Sequence, residues 1–419
     1  MIAQILKPVT TVLFALSSLV FASPAQDLFN QATYYLAVQY NGYSSADYAN
    51  FNTKYQPALD TACADLAEAC PFTAAVPVIQ QMLEELKDGH TYLLTKEQNL
   101  EAQRQRAGLG PSTPKIGMVT TKIKDSFDRL ITDVWETAPA ARAGLLRGDL
   151  VVSLNGKTST EFGDTFQVSI AKAISVGEIV TLGVSRAGKL LEFKLKGELL
   201  TVRLPVLKVL ANGVGLMRIP NFDVNGQVAT KVHDLVAQAN KQKLRGLILD
   251  LRDNPGGLVT ELMGVSAAFL PKTSLTFAAR DGSSTYTAEN GAINISQGIF
   301  QNVTLQTLQK PSLWKGSLEV LVNSHSGSAA EYLPQFLQDA KRAVVIGEDT
   351  AGVGNTGISA FGLPDGSALY ISIIRALRAD SSPFPEHVTP DVAVTDDLEV
   401  LAATGRDLVL EQALELMPK

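Results

Sequence analysis

Hydrophobic and polar positions along this chain change their spacing twice, which divides it into three units behind a short leading segment. In residues 26–112 apolar residues recur at helical spacing, most clearly over 76–86, and a polar linker follows. Residues 113–200 contain short β-like runs separated by turn signals such as Asn155-Gly156, a strong hairpin turn. From 201 to 419 apolar strands alternate with amphipathic helices. The pattern predicts a multidomain α/β protein with a helical N-terminal region, a β-barrel unit and an α/β core.

The leading segment, residues 1–25, has the pattern of a signal peptide. Lys7 precedes an apolar stretch over 12–22, and small residues follow it. About a dozen apolar residues suit a signal peptide but fall short of the ~20 that span a bilayer, although an uncleaved anchor is the alternative. Cleavage after Ala22 or Ala25 is expected. No later run is long enough to span, so we expect a soluble mature protein that is periplasmic or secreted.

Composition excludes several classes of function. Of the 419 residues, 46% are hydrophobic and 19% are charged, which describes a folded globular protein. The formal net charge of −6 argues against a nucleic-acid partner, which would require a basic face. The four histidines are scattered and no Cys/His cluster has metal-ligand spacing. We therefore expect neither a metal nor another cofactor.

The two cysteines, Cys63 and Cys70, both lie in the part of the chain that would be exported, where disulfides persist. Along an unbroken helix their Cα atoms would be about 10 Å apart, which is too far for a disulfide. A bridge therefore requires a break in the helix, and Pro71 offers one. We predict the bridge, with two buried free thiols as the alternative.

The segment 138–156 closely resembles a PDZ domain, and the resemblance covers about ninety residues, a range estimated from the turn and strand pattern. In that family a backbone loop captures the C-terminal carboxylate of a peptide, which adds as a strand to a sheet edge. The place of that loop corresponds here to Ile116, Gly117, Met118 and Val119. The resemblance implies that the partners are proteins or peptides with a free C-terminus. A β-barrel used only for packing is the alternative.

Two segments of the third unit carry candidate chemistry. In 249–257 a buried strand ends in Asn-Pro-Gly-Gly, a turn that exposes backbone N–H groups able to stabilise an oxyanion. In 320–331 a strand runs through small residues into a helix that begins near Ser328, so helix N–H groups point at charge developing there. Taken alone, Ser328-Ala-Ala-Glu331 is also a capping box. Asn323 precedes the serine by five positions and Glu331 follows it by three.

This pair of segments, in this order and with the PDZ unit, resembles the S41-type serine peptidases, the group of C-terminal processing and tricorn-like proteases. The resemblance implies a ClpP/crotonase-like core over 201–419 and a nucleophilic role for Ser328. It also implies an oxyanion hole formed by the N–H of Ala329 with that of Gly256 or Gly257.

The general base is expected to be a histidine. Many relatives use a lysine beyond the serine, but Val353 occupies the corresponding position here. The tricorn-like branch uses a histidine in an Asp-Gly-His sequence and a glutamate ahead of a Pro-Asp pair, which the resemblance places at His90 and Glu386. The helix before His90 is expected to end at Gly89, a natural left-handed cap. His90 would accept the hydroxyl proton and later protonate the leaving amine, and Glu386 would support it.

Several alternatives stay open. His387 and Asp391 lie close to Glu386 in the chain, His325 precedes the serine by three positions, and Lys341 is a distant candidate for the base. The predicted function is an exported serine endopeptidase that recognises its substrate through the C-terminus. A non-catalytic relative that only binds peptides or small ligands is the alternative function.

Overall fold

The computed structural model describes residues 22–298 and 301–418, so most of the predicted signal peptide lies outside it. The N-terminal unit is helical, and its elements are α1 Pro24–Gln39, α2 Phe51–Ala62, α3 Phe72–Leu86, β1 Tyr92–Leu94 and α4 Lys96–Arg106. The end of α3 differs from the prediction, because Lys87 and not Gly89 adopts the left-handed conformation, with φ 51°. The helix therefore ends two residues before Gly89.

The N-terminal helices are anchored on the third unit. Their buried residues form one hydrophobic cluster with Leu369 and Ile371 of the core. Strand β1 pairs antiparallel with a core strand, and this register places Tyr92 opposite Tyr370. Because the pairing begins two residues after His90, it carries this histidine to the core.

A disulfide joins Cys63 and Cys70, whose Cα atoms are 5.5 Å apart. The helical path is broken between them, since α2 ends before Cys63 and Pro71 is the N-cap of α3. This is the break that the sequence argument required.

The second unit is an antiparallel sheet with short helices. Its elements are β2 Met118–Lys122, β3 Arg129–Val134, α5 Pro139–Ala143, β4 Leu150–Leu154, β5 Lys157–Thr158, α6 Ser159–Phe162, α7 Phe166–Ser175, β6 Ile179–Arg186 and β7 Lys189–Lys196. The strand order is β2-β3-β4-β6-β7, so β2 lies at one edge. The unit has its own hydrophobic core, which includes Ile131, Val151 and Phe166.

The third unit combines two sheets. Its elements are β8 Val206–Val209, β9 Val214–Arg218, α8 Val228–Gln242, β10 Gly246–Asp250, α9 Val259–Ser266, β11 Lys272–Ala279, β12 Gly282–Glu289, β13 Ala292–Gln297, β14 Gln301–Thr307, β15 Ser317–Val322, α10 Ala329–Asp339, β16 Val344–Gly347, β17 Thr356–Gly362, β18 Ala368–Leu377, β19 Val392–Ala393, α11 Leu398–Thr404 and α12 Leu408–Leu416. One sheet has the order β19-β16-β15-β10-β9-β8, and all its pairs except β8–β9 are parallel. The other has the order β1-β18-β11-β12-β13-β14, with β17 on β18.

The parallel sheet brings the two candidate segments together. Strands β10 and β15 are neighbours in parallel register, with Asp250 opposite Leu321. Because parallel strands end at the same sheet edge, the turn after β10 and the turn after β15 meet there. The predicted architecture of helical region, β unit and α/β core is confirmed.

Ion pairs join the second unit to the third. Asp133 of β3 binds Arg203 and Arg218, each at 2.7 Å. On the other side Arg147 binds Asp396 at 2.7 Å and Asp407 at 3.2 Å.

Among the described residues no helix is both long and apolar enough to cross a membrane.

Candidate active site

Ser328 occupies the point where β15 has ended and α10 begins. Its backbone has φ 53° and ψ −116°, a conformation that is uncommon and strained for a residue with a Cβ. Its N–H donates to Glu331 Oε2 at 2.8 Å, and its carbonyl accepts from the N–H of Glu331 at 2.8 Å. The local geometry therefore holds the serine on a tight turn at the N-terminus of a helix, where backbone N–H groups favour negative charge.

The Asn-Pro-Gly-Gly turn packs directly against this serine. A Cβ added to Gly256 would lie 2.7 Å from Ser328 Cβ and 2.9 Å from Ala329 N, so only glycine fits at this position. The N–H of Gly256 donates to Asn254 Oδ1 at 2.8 Å. The structure therefore contradicts Gly256 as an oxyanion donor, because its N–H is already committed within the turn. Gly256 instead allows the turn to approach Ser328 and Ala329 closely.

The backbone N–H groups of Gly257 and Ala329 are the candidates for binding an oxyanion. Within residues 22–298 and 301–418, neither Gly257 nor Ala329 donates its N–H to another group outside the regular elements. Gly257 is fixed by its bridge to Phe222, and Ala329 is the first residue of α10. Helices leave their first N–H groups without internal partners, so Ala329 points a donor out of the helix end. The oxyanion role of Gly257 and Ala329 stays a prediction.

His90 is buried at the wall of a cavity of about 1040 Å³ that Ser328 also lines. Its Nδ1 lies 3.0 Å from Thr356 Oγ1, which is 3.2 Å from Ser372 Oγ. Burial lowers the pKa of His90 to about 4, against the opposing charge of Asp88. The imidazole is therefore neutral at neutral pH, the form that can accept a proton.

In the described part of the chain Glu386 does not line the cavity that His90 and Ser328 share. Its side chain is exposed and lines a neighbouring cavity with Asp88, Gly89 and Thr356. Within the described part of the chain it makes no hydrogen bond to His90, and the place on Nδ1 is taken by Thr356. The role of Glu386 stays a prediction.

His325 lines the same cavity but is 72% exposed. Its Nδ1 lies 3.3 Å from Asp253 Oδ1, so a carboxylate orients this ring. His325 stays an alternative base. Its ring is exposed to solvent, whereas that of His90 is buried.

The remaining candidates have structural contacts. His387 Nδ1 is 2.8 Å from the carbonyl of Thr350, and Asp391 accepts from the N–H of Val345 at 2.8 Å. Lys341 follows the far end of α10, roughly 20 Å along the helix direction from Ser328 at 1.5 Å per residue. None of the three lines the cavity around Ser328 in the part of the chain described.

Glu331 is a site residue whose full role the sequence did not indicate. Besides Ser328 it accepts from Thr350 Oγ1 at 2.6 Å, the N–H of Gly352 at 2.9 Å and that of Val353 at 3.0 Å. Burial raises its pKa, while these four hydrogen bonds oppose the rise. The carboxylate thus connects the turn at Ser328 to the loop that carries Val353.

The predicted carboxylate loop leads into the edge strand β2. Ile116 is buried and its carbonyl accepts from Ala140 at 2.9 Å, and Gly117 has φ 74°. Met118 begins β2, and Val119 lines the cavity of Ser328. The sheet edge to which a peptide would add therefore faces the candidate active site.

Comparison with known proteins identifies both folded units. Residues 213–394 match the model of peptidase family S41, and residues 114–196 match that of the PDZ domain. Residues 213–394 therefore form a peptidase S41 domain. Ser328 and the two predicted oxyanion donors lie in the S41 segment, whereas His90 precedes the PDZ domain and is carried to the core by the β1–β18 pairing.

The chain resembles curated proteases in part of their length. It is 27% identical over 319 residues to the "Probable CtpA-like serine protease" of Staphylococcus aureus, covering 75% of this chain and 59% of that protein. It is 28% identical over 253 residues to the "Carboxy-terminal-processing protease" of Bartonella bacilliformis, covering 57% and 52%. The chain thus spans little more than half the length of the curated relatives it matches.

Solved structures support the fold of the chain. The photosystem II D1 C-terminal processing protease aligns with a TM-score of 0.51 at 22% identity, covering 95% of this chain and 98% of that one. An S41 protease from Bacteroides fragilis aligns with a TM-score of 0.57 at 18% identity, covering 80% and 89%. At these identities the likeness concerns the fold alone.

Proposed function

We propose that this chain is a serine endopeptidase in which Ser328 is the nucleophile and His90 the general base. One observation carries the proposal. The strained Ser328 directly precedes Ala329, the first residue of α10, and lines one cavity with Gly257 and with a buried, neutral His90. A nucleophile, a proton acceptor and oxyanion donors are the parts that acyl transfer requires.

In the first step the Nδ1–H of His90 donates to Thr356 Oγ1, which leaves the lone pair of Nε2 for the Ser328 hydroxyl. As Oγ attacks the peptide carbonyl, its proton moves to Nε2 and the negative charge develops on the carbonyl oxygen. The N–H groups of Gly257 and Ala329 stabilise this oxyanion. One such donor contributes about 3 kcal/mol in the transition state of comparable enzymes.

In the second step the imidazolium gives its proton to the leaving amine, and an acyl-enzyme remains. Water then attacks this ester with His90 again as base, which releases the acid and restores Ser328. The imidazolium is transient in a buried site, and the charge of Asp88 favours it. The hydroxyl of Thr356 keeps the ring oriented through both steps.

For the substrate we propose polypeptides with a free C-terminus. The support is the PDZ domain, whose edge strand β2 borders the catalytic cavity, and the loop over residues 115–119 that would hold a carboxylate. Amidation of a peptide's C-terminus removes the charge that this loop would bind. Equal cleavage of free and amidated peptides would contradict carboxylate recognition.

We also propose export, with cleavage after Ala22. Lys7 and the apolar stretch 12–22 support a signal peptide, and a disulfide suits an oxidising compartment. Cleavage after Ala25 would remove Ser23, whose hydroxyl caps α1, together with the fully buried Ala25. N-terminal sequencing of protein from the periplasm or medium should therefore start at Ser23, and a chain that starts at Met1 would rule out cleavage.

The direct test of peptidase activity is incubation of the mature protein with an unfolded protein substrate. We expect fragments with the wild type and none with Ser328→Ala, because the hydroxyl is the attacking group. If the two proteins are equally inactive while still binding peptides, the alternative of a non-catalytic peptide-binding relative is correct.

A further inference from the structure

The catalytic cavity has a second polar group, far from the histidine along the sheet, that the proposed chemistry does not use. Arg106 Nε donates to Asp223 Oδ1 at 2.9 Å, and Arg106 Nη1 donates to the hydroxyl of Tyr370 at 3.1 Å. The guanidinium also lies 5.5 Å from the centroid of the Tyr370 ring, and this ring stacks on Tyr92 at 5.0 Å. All four side chains line the cavity that contains Ser328.

Asp223 is held next to the oxyanion turn by the backbone. Phe222 N–H donates to the carbonyl of Gly256 at 2.7 Å, and its own carbonyl accepts from Leu258 at 2.9 Å. A Cβ added to Gly257 would lie 2.5 Å from Asp223 N, so the two backbones are in contact. A substrate carbonyl bound at Gly257 therefore carries its side chain past Asp223.

An apolar wall connects the catalytic histidine with this pair. Thr356, which contacts His90, is followed on the same face of β17 by Ile358 and Ala360, since alternate residues of a strand share a face. Ala360 pairs with Tyr370, whose hydroxyl contacts Arg106. Ile358, Ala360 and Tyr370 all line the cavity. A substrate side chain that lies along this wall would contact apolar residues along its length and reach the ion pair with its end.

The charges of Arg106 and Asp223 cancel, but each retains an available polar atom. Within residues 22–298 and 301–418, Nη2 of Arg106 and Oδ2 of Asp223 make no hydrogen bond. The pair is only partly exposed, at 36% and 17% of the two side chains. A substrate side chain with a charged end would lie next to a like charge, that of Arg106 or of Asp223, in this partly desolvated place. An uncharged polar end can accept from Nη2 of Arg106 and donate to Oδ2 of Asp223.

We propose that Arg106 and Asp223 form the specificity subsite for the residue that supplies the attacked carbonyl, and that they select a long, uncharged side chain with a hydrogen-bonding tip. Glutamine and tyrosine have this chemistry, while methionine and phenylalanine have the same shape without the tip. The inference rests on the proposed peptidase function and names the substrate class of that site.

The test uses peptides with a free C-terminus that differ only at this residue. For the wild type we expect kcat/KM to be about fivefold higher for Gln over Met and for Tyr over Phe, the effect of one partly exposed hydrogen bond. Asp223→Asn leaves the guanidinium uncompensated and should raise kcat/KM for a Glu peptide relative to Gln. Arg106→Gln leaves the carboxylate and should raise it for a Lys peptide. Shifts of about tenfold in these opposite directions are expected.

Glu289→Gln is the matched control, because it breaks an exposed ion pair with Lys272 and should not change the preference. The subsite would be overturned if the wild type cleaved Gln and Met peptides, or Tyr and Phe peptides, equally well. It would also be overturned if Asp223→Asn did not favour the Glu peptide or Arg106→Gln did not favour the Lys peptide. If no peptide is cleaved, the affinity of the same peptides for Ser328→Ala protein, measured by fluorescence anisotropy, decides. Equal binding of Gln and Met peptides there overturns the subsite independently of catalysis.

Discussion

Replacing Glu331 by glutamine isolates the contribution of the carboxylate that supports the nucleophile turn. The substitution keeps the shape of the side chain but leaves one acceptor oxygen where the carboxylate has two. In the wild type Oε2 accepts from the N–H groups of Ser328 and Val353, and Oε1 accepts from Thr350 Oγ1 and the N–H of Gly352. The new NH₂ group must therefore face two donors.

The less costly orientation follows from the chemistry of these donors. If the NH₂ replaces Oε1, the hydroxyl of Thr350, which also accepts from the N–H of Val388, can rotate and accept, and Gly352 is the one backbone N–H among these donors that loses its acceptor. If it replaces Oε2, two backbone N–H groups lose theirs. One buried unsatisfied donor costs about 1–3 kcal/mol, so we expect Glu331→Gln to lower the free energy of unfolding by about 2 kcal/mol.

Activity should fall as well, because the carboxylate holds both the Ser328 turn and the loop against it. We expect kcat to fall about tenfold, equivalent to 1.4 kcal/mol in the barrier, with KM little changed. Urea denaturation and peptide cleavage measure the two effects.

The matched control is Glu161, which occupies the same position in a second capping box. Its carboxylate accepts from Thr158 N–H at 2.7 Å but is exposed, so Glu161→Gln should cost less than about 0.5 kcal/mol and leave kcat unchanged. Equal costs for the two substitutions, or normal turnover in folded Glu331→Gln protein, would refute the reasoning.

Two further substitutions test single residues. Thr356→Val removes the acceptor on Nδ1 of His90 at nearly constant volume; we expect kcat to fall about tenfold with KM unchanged, and rescue in Thr356→Ser. Glu319 is buried without a hydrogen-bond partner for Oε2 in the described part of the chain, and burial raises its pKa from 4.5 to about 7. Since the folded state binds this proton more tightly than the unfolded state does, the free energy of unfolding falls as pH rises from 4.5 to 7. In urea denaturation at these two pH values, Glu319→Gln should reduce that fall by about 3 kcal/mol. An equal fall in the wild type and in the variant would contradict the assignment.

Local patterns of the sequence were sufficient for the units of the fold and for the neighbourhood of Ser328. The strand, small-residue turn and helix around Ser328 lie within one short segment, so their geometry follows from nearby residues. The PDZ and S41 resemblances rested on similarly local motifs, and both are confirmed.

The contacts of the site residues required long-range register that no local pattern encodes. Thr356 meets His90 across 266 positions of the chain, through the pairing of β1 with β18 and of β18 with β17. Similarly, the commitment of the Gly256 N–H to Asn254 depends on the detailed path of one turn. Residue types alone indicated a glycine donor there but not which of the two glycines is free.

The most direct test of the central claim is the rate at which a fluorophosphonate probe labels Ser328 as a function of pH. Labelling requires a nucleophilic serine and a neutral base but no knowledge of the substrate. We predict rapid labelling that stays constant from about pH 8 to pH 5 and falls as pH approaches the pKa of His90 near 4, and that is lost in Ser328→Ala and in His90→Ala. Labelling of folded His90→Ala protein at the wild-type rate, or a fall in the rate well above pH 4, would contradict the assignment of His90 as the base.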